Sequence, residues 1–108
     1  MNDRSNQPAS FELQKDERAR VLGPLEFTTV SALLPVGSKA IRAGQASVID
    51  LAGVTAGDSS GLALLIEWLS VAREASRTLR YENVPSQLDQ LARLSEVEEL
   101  LVAALVAP

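Results

Sequence analysis

The chemistry this chain can offer is concentrated in Gly57-Asp58-Ser59-Ser60-Gly61-Leu62, an acid and two hydroxyls set between glycines. A run rich in β-branched residues, Ala46-Ser47-Val48-Ile49-Asp50-Leu51, lies just upstream, and a long apolar segment follows. Strand, loop, hydroxyls and helix, in that order, put Asp58, Ser59 and Ser60 at a helix N-terminus. Three kinds of chemistry suit that place. A serine can act as a nucleophile, an oxygen can cap the helix, or a hydroxyl can take a phosphate at the positive end of the helix dipole.

Nucleophilic catalysis fits least. Gly-Asp-Ser is similar to the nucleophile segment of trypsin-like serine proteases, but that serine needs a histidine base. The chain has no histidine, and its lysines, Lys15 and Lys39, lie in no recognised dyad motif. Without histidine or cysteine there is no disulfide, no thiolate chemistry and no metal site of the Cys or His type. No catalytic residue, metal or cofactor is therefore expected, and the chain reads as a non-enzyme.

Capping explains the residue types. Asp58 or Ser59 can accept a free backbone N–H of the first turn, a contribution of about 1 kcal/mol. Gly61 would admit a strand or a partner backbone at close range. Capping does not explain why the serine is doubled. Phosphorylation of Ser59 would add about −1.5 to −2 charges beside Asp58, enough to repel a bound partner. Asp58, Ser59, Ser60 and Gly61 are thus candidate partner-binding residues, with Ser59 a candidate phosphorylation site.

The elements that must hold this segment are legible in outline. With 108 residues there is room for one domain, placed at residues 11–108 behind a polar, disordered segment 1–10. Phe11 to Gln14 and Arg18 to Leu22 alternate and read as a hairpin, ended by Gly23-Pro24. Thr28 or Thr29 then caps a helix carrying Val30, Leu33, Leu34, Val36 and Ile41, interrupted by Pro35 and Gly37 and closed by Gly44. Val48 to Leu51 reads as a buried strand, followed by a loop marked by Gly53, Gly57 and Asp58. A helix runs from Ser59 to about Arg77, and Leu79 to Val84 alternates as a further strand. Pro85-Ser86 opens a helix with Leu88, Leu91, Ala92 and Leu94 facing inward, and a last apolar stretch, Val97 to Val106, reads as helical. The pattern predicts an α/β fold: a mixed sheet of four to five strands with an opening hairpin and helices mainly on one face.

The helix after Ser59 carries more apolar surface than a sheet can cover. Projected at about 100° per residue, Glu67, Ser70, Arg73, Glu74 and Arg77 gather within an arc of roughly 120°. Leu62, Leu65, Ile66, Leu69 and Ala72 form one stripe, and Leu64, Trp68, Val71 and Ala75 form a second. The second stripe either packs under a neighbouring helix or faces a protein partner. The lone tryptophan lies in it, and tryptophan is enriched at binding hot spots. Leu64, Trp68 and Val71 therefore join the candidate partner-binding set.

Bulk properties narrow the partner. A net charge of −4 and a pI near 4.7 argue against a nucleic-acid or anionic-lipid surface. The opening residues lack an apolar targeting segment, and the longest apolar run, Leu100 to Ala107, is far short of the roughly 20 residues that span a bilayer. A cytoplasmic protein with no direct membrane insertion is expected.

The run Val48-Ile49-Asp50-Leu51, then Val54, then Asp58-Ser59-Ser60-Gly61-Leu62, resembles the STAS domain family over about residues 11–101. That family includes anti-sigma factor antagonists and the cytoplasmic tails of sulfate transporters. The resemblance takes in Gly23-Pro24-Leu25, where the family often has Gly-Glu-Leu. Within the family, Gly61-Leu62-Ala63-Leu64-Leu65 is most similar to the small STAS subunit of the Mla phospholipid-transport ABC system, which reads Asp-Thr-Gly-Gly-Leu-Ala-Leu-Leu at this place. The resemblance implies a STAS fold and an accessory subunit docked on the ATPase of that complex, peripheral to the inner membrane through its partner. It implies support for assembly and activity in moving phospholipid between inner and outer membranes, which maintains lipid asymmetry. The family's hydroxyl position falls on Ser59. Ser60 and Gly57 depart from the Mla pattern. Ser60 matches the alternative, an anti-sigma factor antagonist that binds a serine kinase and is inactivated by phosphorylation at Ser59.

Overall fold

The computed structural model describes residues 8–95. The elements run β1 (Ser10–Leu13), β2 (Arg18–Leu25), α1 (Val30–Arg42), β3 (Val48–Gly57), α2 (Ser59–Glu74), β4 (Arg80–Glu82) and α3 (Ser86–Leu94). Among the described residues the sheet has four strands, in the order β1-β2-β3-β4. β1 and β2 form the expected antiparallel hairpin, with Phe11 opposite Val21, and β2–β3 and β3–β4 are parallel. The expected last helix, Val97 to Val106, and residues 1–7 of the leading segment lie outside the described residues.

Strand alternation sorts the sheet into two unlike faces. Ala19, Val21, Ile49, Leu51 and Tyr81 are buried and join Leu33, Ile41, Leu65, Trp68 and Leu88 of the three helices in one core. The residues between them, Arg18, Arg20, Asp50, Arg80 and Glu82, lie on the other face. There Arg18 pairs with Glu82, and Arg20 Nε donates to Glu12 Oε1 at 2.8 Å. Such exposed pairs contribute at most about 1 kcal/mol each. They keep that face wetted while the helices cover the other.

Several boundaries differ from the sequence reading, each for a local reason. β1 takes in Ser10, assigned above to the leading polar segment. β2 runs past Gly23-Pro24 to Leu25, because Gly23 (φ +89°) sits where the register against β3 shifts. β3 extends through the supposed loop to Gly57. Gly53 marks another register shift, and a side chain there would crowd Leu22 at 3.1 Å. A side chain on Gly57 would meet Leu88 of α3 at 2.7 Å. These glycines serve close packing on an extended strand rather than a turn. α2 stops at Glu74, because Ser76 adopts φ +56° and Arg77 N–H reaches back to the Ala72 carbonyl at 2.8 Å. That is a glycine-type helix ending made without glycine, so composition gave no sign of it. Gly44 closes α1 as expected, with φ +75° and Gln45 N–H on the Ala40 carbonyl. Leu94, expected to face inward, is 81% exposed at the end of α3.

α1 runs unbroken through Pro35 and Gly37. Pro35 withholds a donor from the carbonyl of Ser31, an exposed residue where water can replace it. Gly37 is buried against Trp68, and a methyl group there would lie 2.7 Å from Nε1. The indole is fully buried, donates to the Leu34 carbonyl at 3.2 Å and meets Phe11 edge-on at 5.6 Å. The second apolar stripe of α2 thus packs under α1, and Leu64 (4% exposed), Trp68 (0%) and Val71 (3%) are core residues. The expectation that these three face a partner is corrected: the surplus face of α2 is covered from within the chain. In an exposed helix, Gly→Ala would stabilise by about 0.5–1 kcal/mol. Gly37→Ala is expected to destabilise by about 1–3 kcal/mol through overpacking, read as a lower urea midpoint followed by Trp68 fluorescence.

Tyr81, the one tyrosine, is fully buried and donates its hydroxyl to the Leu65 carbonyl at 2.6 Å. Burial pushes its phenol well above the ordinary value. A group whose folded pKa is raised stabilises fully below its unfolded value, near 10, and that stability drains away as pH rises beyond it. Phenolate absorbance is therefore expected to appear only together with alkaline unfolding, whereas an exposed tyrosine would titrate first in folded protein.

Candidate functional site

The site forms where β3 hands over to α2. Asp58 occupies the N-cap with extended backbone (φ −123°, ψ −169°), and its Oδ1 accepts from Ser60 N–H at 2.8 Å and Gly61 N–H at 3.1 Å. Of the two capping candidates, the acid takes the role. Its second oxygen, Oδ2, accepts from Phe27 N–H at 3.2 Å, and its own N–H donates to the Leu25 carbonyl at 3.2 Å. One carboxylate thus ties the β2–α1 connection to the first turn of α2. Gly61 completes the joint, since a Cβ there would lie 2.9 Å from Leu25 Cβ. The close approach expected of Gly61 is to this chain's own β2.

Thr29 holds the other side of the connection. It stands at the N-cap position of α1, but its side chain does not cap. The buried hydroxyl donates to the Pro24 carbonyl at 2.7 Å and accepts from Glu26 N–H at 3.0 Å. These bonds hold the connection that presents Phe27, which is 78% exposed.

The serines are left without a structural task. Ser59 is exposed at the first helical position, and its hydroxyl makes no hydrogen bond among the described residues. Ser60 lines a groove of about 490 Å³ between α1 and α2, walled by Phe27, Val30, Leu34, Ala63 and Glu67. Of the sequence candidates, Asp58, Ser59, Ser60 and Gly61 come together here, with Asp58 and Gly61 as scaffold and the two serines presented outward. Leu64 reaches the groove only as its floor, and Trp68 and Val71 lie in the core. The sequence reading missed Phe27, Val30 and Leu34. Only the exposed aromatic beside Thr28-Thr29 hinted that α1 contributes, because nothing local says which helix lies beside α2.

An extended strand leading into a capped helix with free hydroxyls, on a four-stranded mixed sheet carrying helices on one face, is the arrangement of a STAS domain. The family model described as "Mlab, STAS domain" matches residues 12–105, and the chain belongs to this family. The fold is similar to the anti-sigma factor antagonist SpoIIAA in its unphosphorylated form, with 18% identity, TM-score 0.61 and coverage of 80% of this chain and 82% of that one. It is likewise similar to the Bacillus cell fate determinant SpoIIAA in the phosphorylated form, with 19% identity, TM-score 0.61 and coverage of 83% and 86%. No curated protein matches the chain. Among the described residues no helix is long and apolar enough to cross a membrane.

The two oxygens of Asp58 have separable duties. Asp58→Ala is expected to cost about 0.5–2 kcal/mol through the lost cap. Asp58→Asn keeps the cap oxygen but turns an amide donor toward Phe27 N–H. It should retain most of the stability while amide exchange quickens at Phe27, as read by thermal melts and hydrogen exchange.

Proposed function

We propose that the chain is a non-catalytic docking subunit whose surface is Ser59, Ser60 and the adjoining α1–α2 groove, and that its partner is the ATPase of a phospholipid-transporting ABC complex. The carrying observation is that Asp58 caps α2, leaving the Ser59 hydroxyl exposed and without a hydrogen bond among the described residues. A polar group held rigidly at a helix mouth beside an apolar groove suits recognition by a protein surface. The family description, "Mlab, STAS domain", and the segment Gly61-Leu62-Ala63-Leu64-Leu65 support this choice of partner. In this reading the protein works at the cytoplasmic face, peripheral to the inner membrane through the ATPase.

A second reading is favoured by the same free hydroxyl. Ser59 stands where a kinase could reach it, and SpoIIAA, whose fold this chain shares, is described in phosphorylated and unphosphorylated forms. The chain would then be an anti-sigma factor antagonist, switched off by phosphorylation at Ser59. Incubation with a candidate anti-sigma kinase and ATP, followed by mass spectrometry, separates the two. Transfer of phosphate to Ser59 supports the switch, and unmodified protein that co-purifies with an ABC ATPase supports the transporter.

Ser59→Asp tests the docking surface in either case. A carboxylate in the first turn is favourable to the helix dipole, by about 0.3–1 kcal/mol. The variant should therefore melt at or slightly above the parent temperature while its capture of the ATPase in pull-down falls about tenfold or more. Unchanged capture would remove Ser59 from the interface.

A further inference from the structure

The chemistry of the α1–α2 groove specifies what seats in it, an inference that rests on the docking reading above. Its walls are Phe27, Val30, Leu34 and Ala63, with hydroxyls at Ser31 and Ser60. Among the described residues, the one charged residue lining it is Glu67, exposed on α2. Glu67 forms no ion pair among the described residues, and neither does Glu26, which precedes Phe27. Asp58 adds a third carboxylate at the helix mouth. The basic residues of these helices, Lys39 and Arg42 on α1 and Arg73 on α2, lie in the last turns, away from Ser60 and Phe27. The sheet's open face carries mixed charge that is internally paired, whereas this rim is acidic and holds no ion pair among the described residues.

We propose that the groove receives a basic amphipathic segment of a protein partner, with apolar side chains laid against Phe27, Val30, Leu34 and Ala63 and a lysine or arginine meeting Glu67. Apolar burial supplies affinity, and the charge pair sets orientation and excludes acidic segments. The chain's own apolar tail is disfavoured as occupant by its charge, since Glu96, Glu98 and Glu99 precede Leu100-Leu101. A second copy is disfavoured likewise, because it would bring a like-charged rim and a net charge of −4.

Two synthetic amphipathic helices, one of leucine and lysine and one of leucine and glutamate, test this on the full chain by amide chemical-shift titration. The leucine-lysine helix should bind about tenfold more tightly or better and shift Leu34, Ser60, Ala63 and Glu67. Glu67→Lys should reverse the preference, while Glu74→Lys, at the far end of α2, should leave it unchanged. Lack of preference, equal effects of the two variants, or shifts confined to the open sheet face would overturn the proposal. So would a dimer in sedimentation that Glu67→Lys strengthens, or a gain in peptide affinity on Leu101→Lys, which would assign the groove to the tail. The docking reading fails separately, by unchanged capture of the ATPase with Ser59→Asp. If Ser59→Asp weakens that capture but Glu67→Lys does not, the surface stands and the occupant chemistry falls.

Discussion

The seating of Trp68 against Gly37 is the contact on which the helical layer depends. A glycine inside an exposed helix costs about 1 kcal/mol relative to alanine, and α1 carries one beside a proline. The missing side chain lets the indole seat directly against α1, where its N–H finds the Leu34 carbonyl and its ring meets Phe11 of β1. One aromatic residue thereby touches α1 and β1 from α2. Burial of a side chain of this size contributes several kcal/mol, which outweighs the propensity lost at Gly37. The position of α1 beside α2 then follows, and with it the groove whose floor is Leu64.

Asp58 extends that rigidity to the surface. Its carboxylate joins Phe27 N–H to the first turn of α2, and Gly61 lets β2 run directly beneath that turn. Phe27 and Ser60 belong to segments far apart in sequence, yet they share one wall-to-wall groove because a single side chain bonds to both. Recognition surfaces gain from such fixing, since less ordering remains to be done on binding. The acid of the Asp-Ser-Ser-Gly segment is spent on architecture, and that is what leaves the serines free. The doubling of serine, unexplained by capping, is consistent with two outward tasks, one at the helix mouth and one in the groove.

Much of this was legible in the residues. The hairpin, the helices after Thr29, Ser59 and Pro85, and the buried strand at Val48 to Leu51 all announce themselves by period and punctuation. The misread boundaries share one cause. Gly23, Gly53 and Gly57 look like loop signals, but glycine also permits close packing on a strand. Ser76 shows the converse, a left-handed helix ending without the residue type that advertises it. For the three glycines the deciding factor is a neighbour distant in sequence: Pro8, Leu22 and Leu88 respectively.

From the sequence alone came the α/β class, the capped helix mouth and the exclusion of histidine- or cysteine-based chemistry, because these rest on local pattern and on residues that are absent. The excess apolar face of α2 was also visible, since helical period fixes which residues share a stripe. What covers that face was not, because periodicity gives direction but not neighbour. Tertiary structure laid α1 over Leu64, Trp68 and Val71 and so moved the candidate docking surface to Phe27, Val30, Leu34, Ala63 and the two serines. The physical reason is the notch at Gly37, which gives the indole a better-packed seat inside the chain than an exposed surface offers.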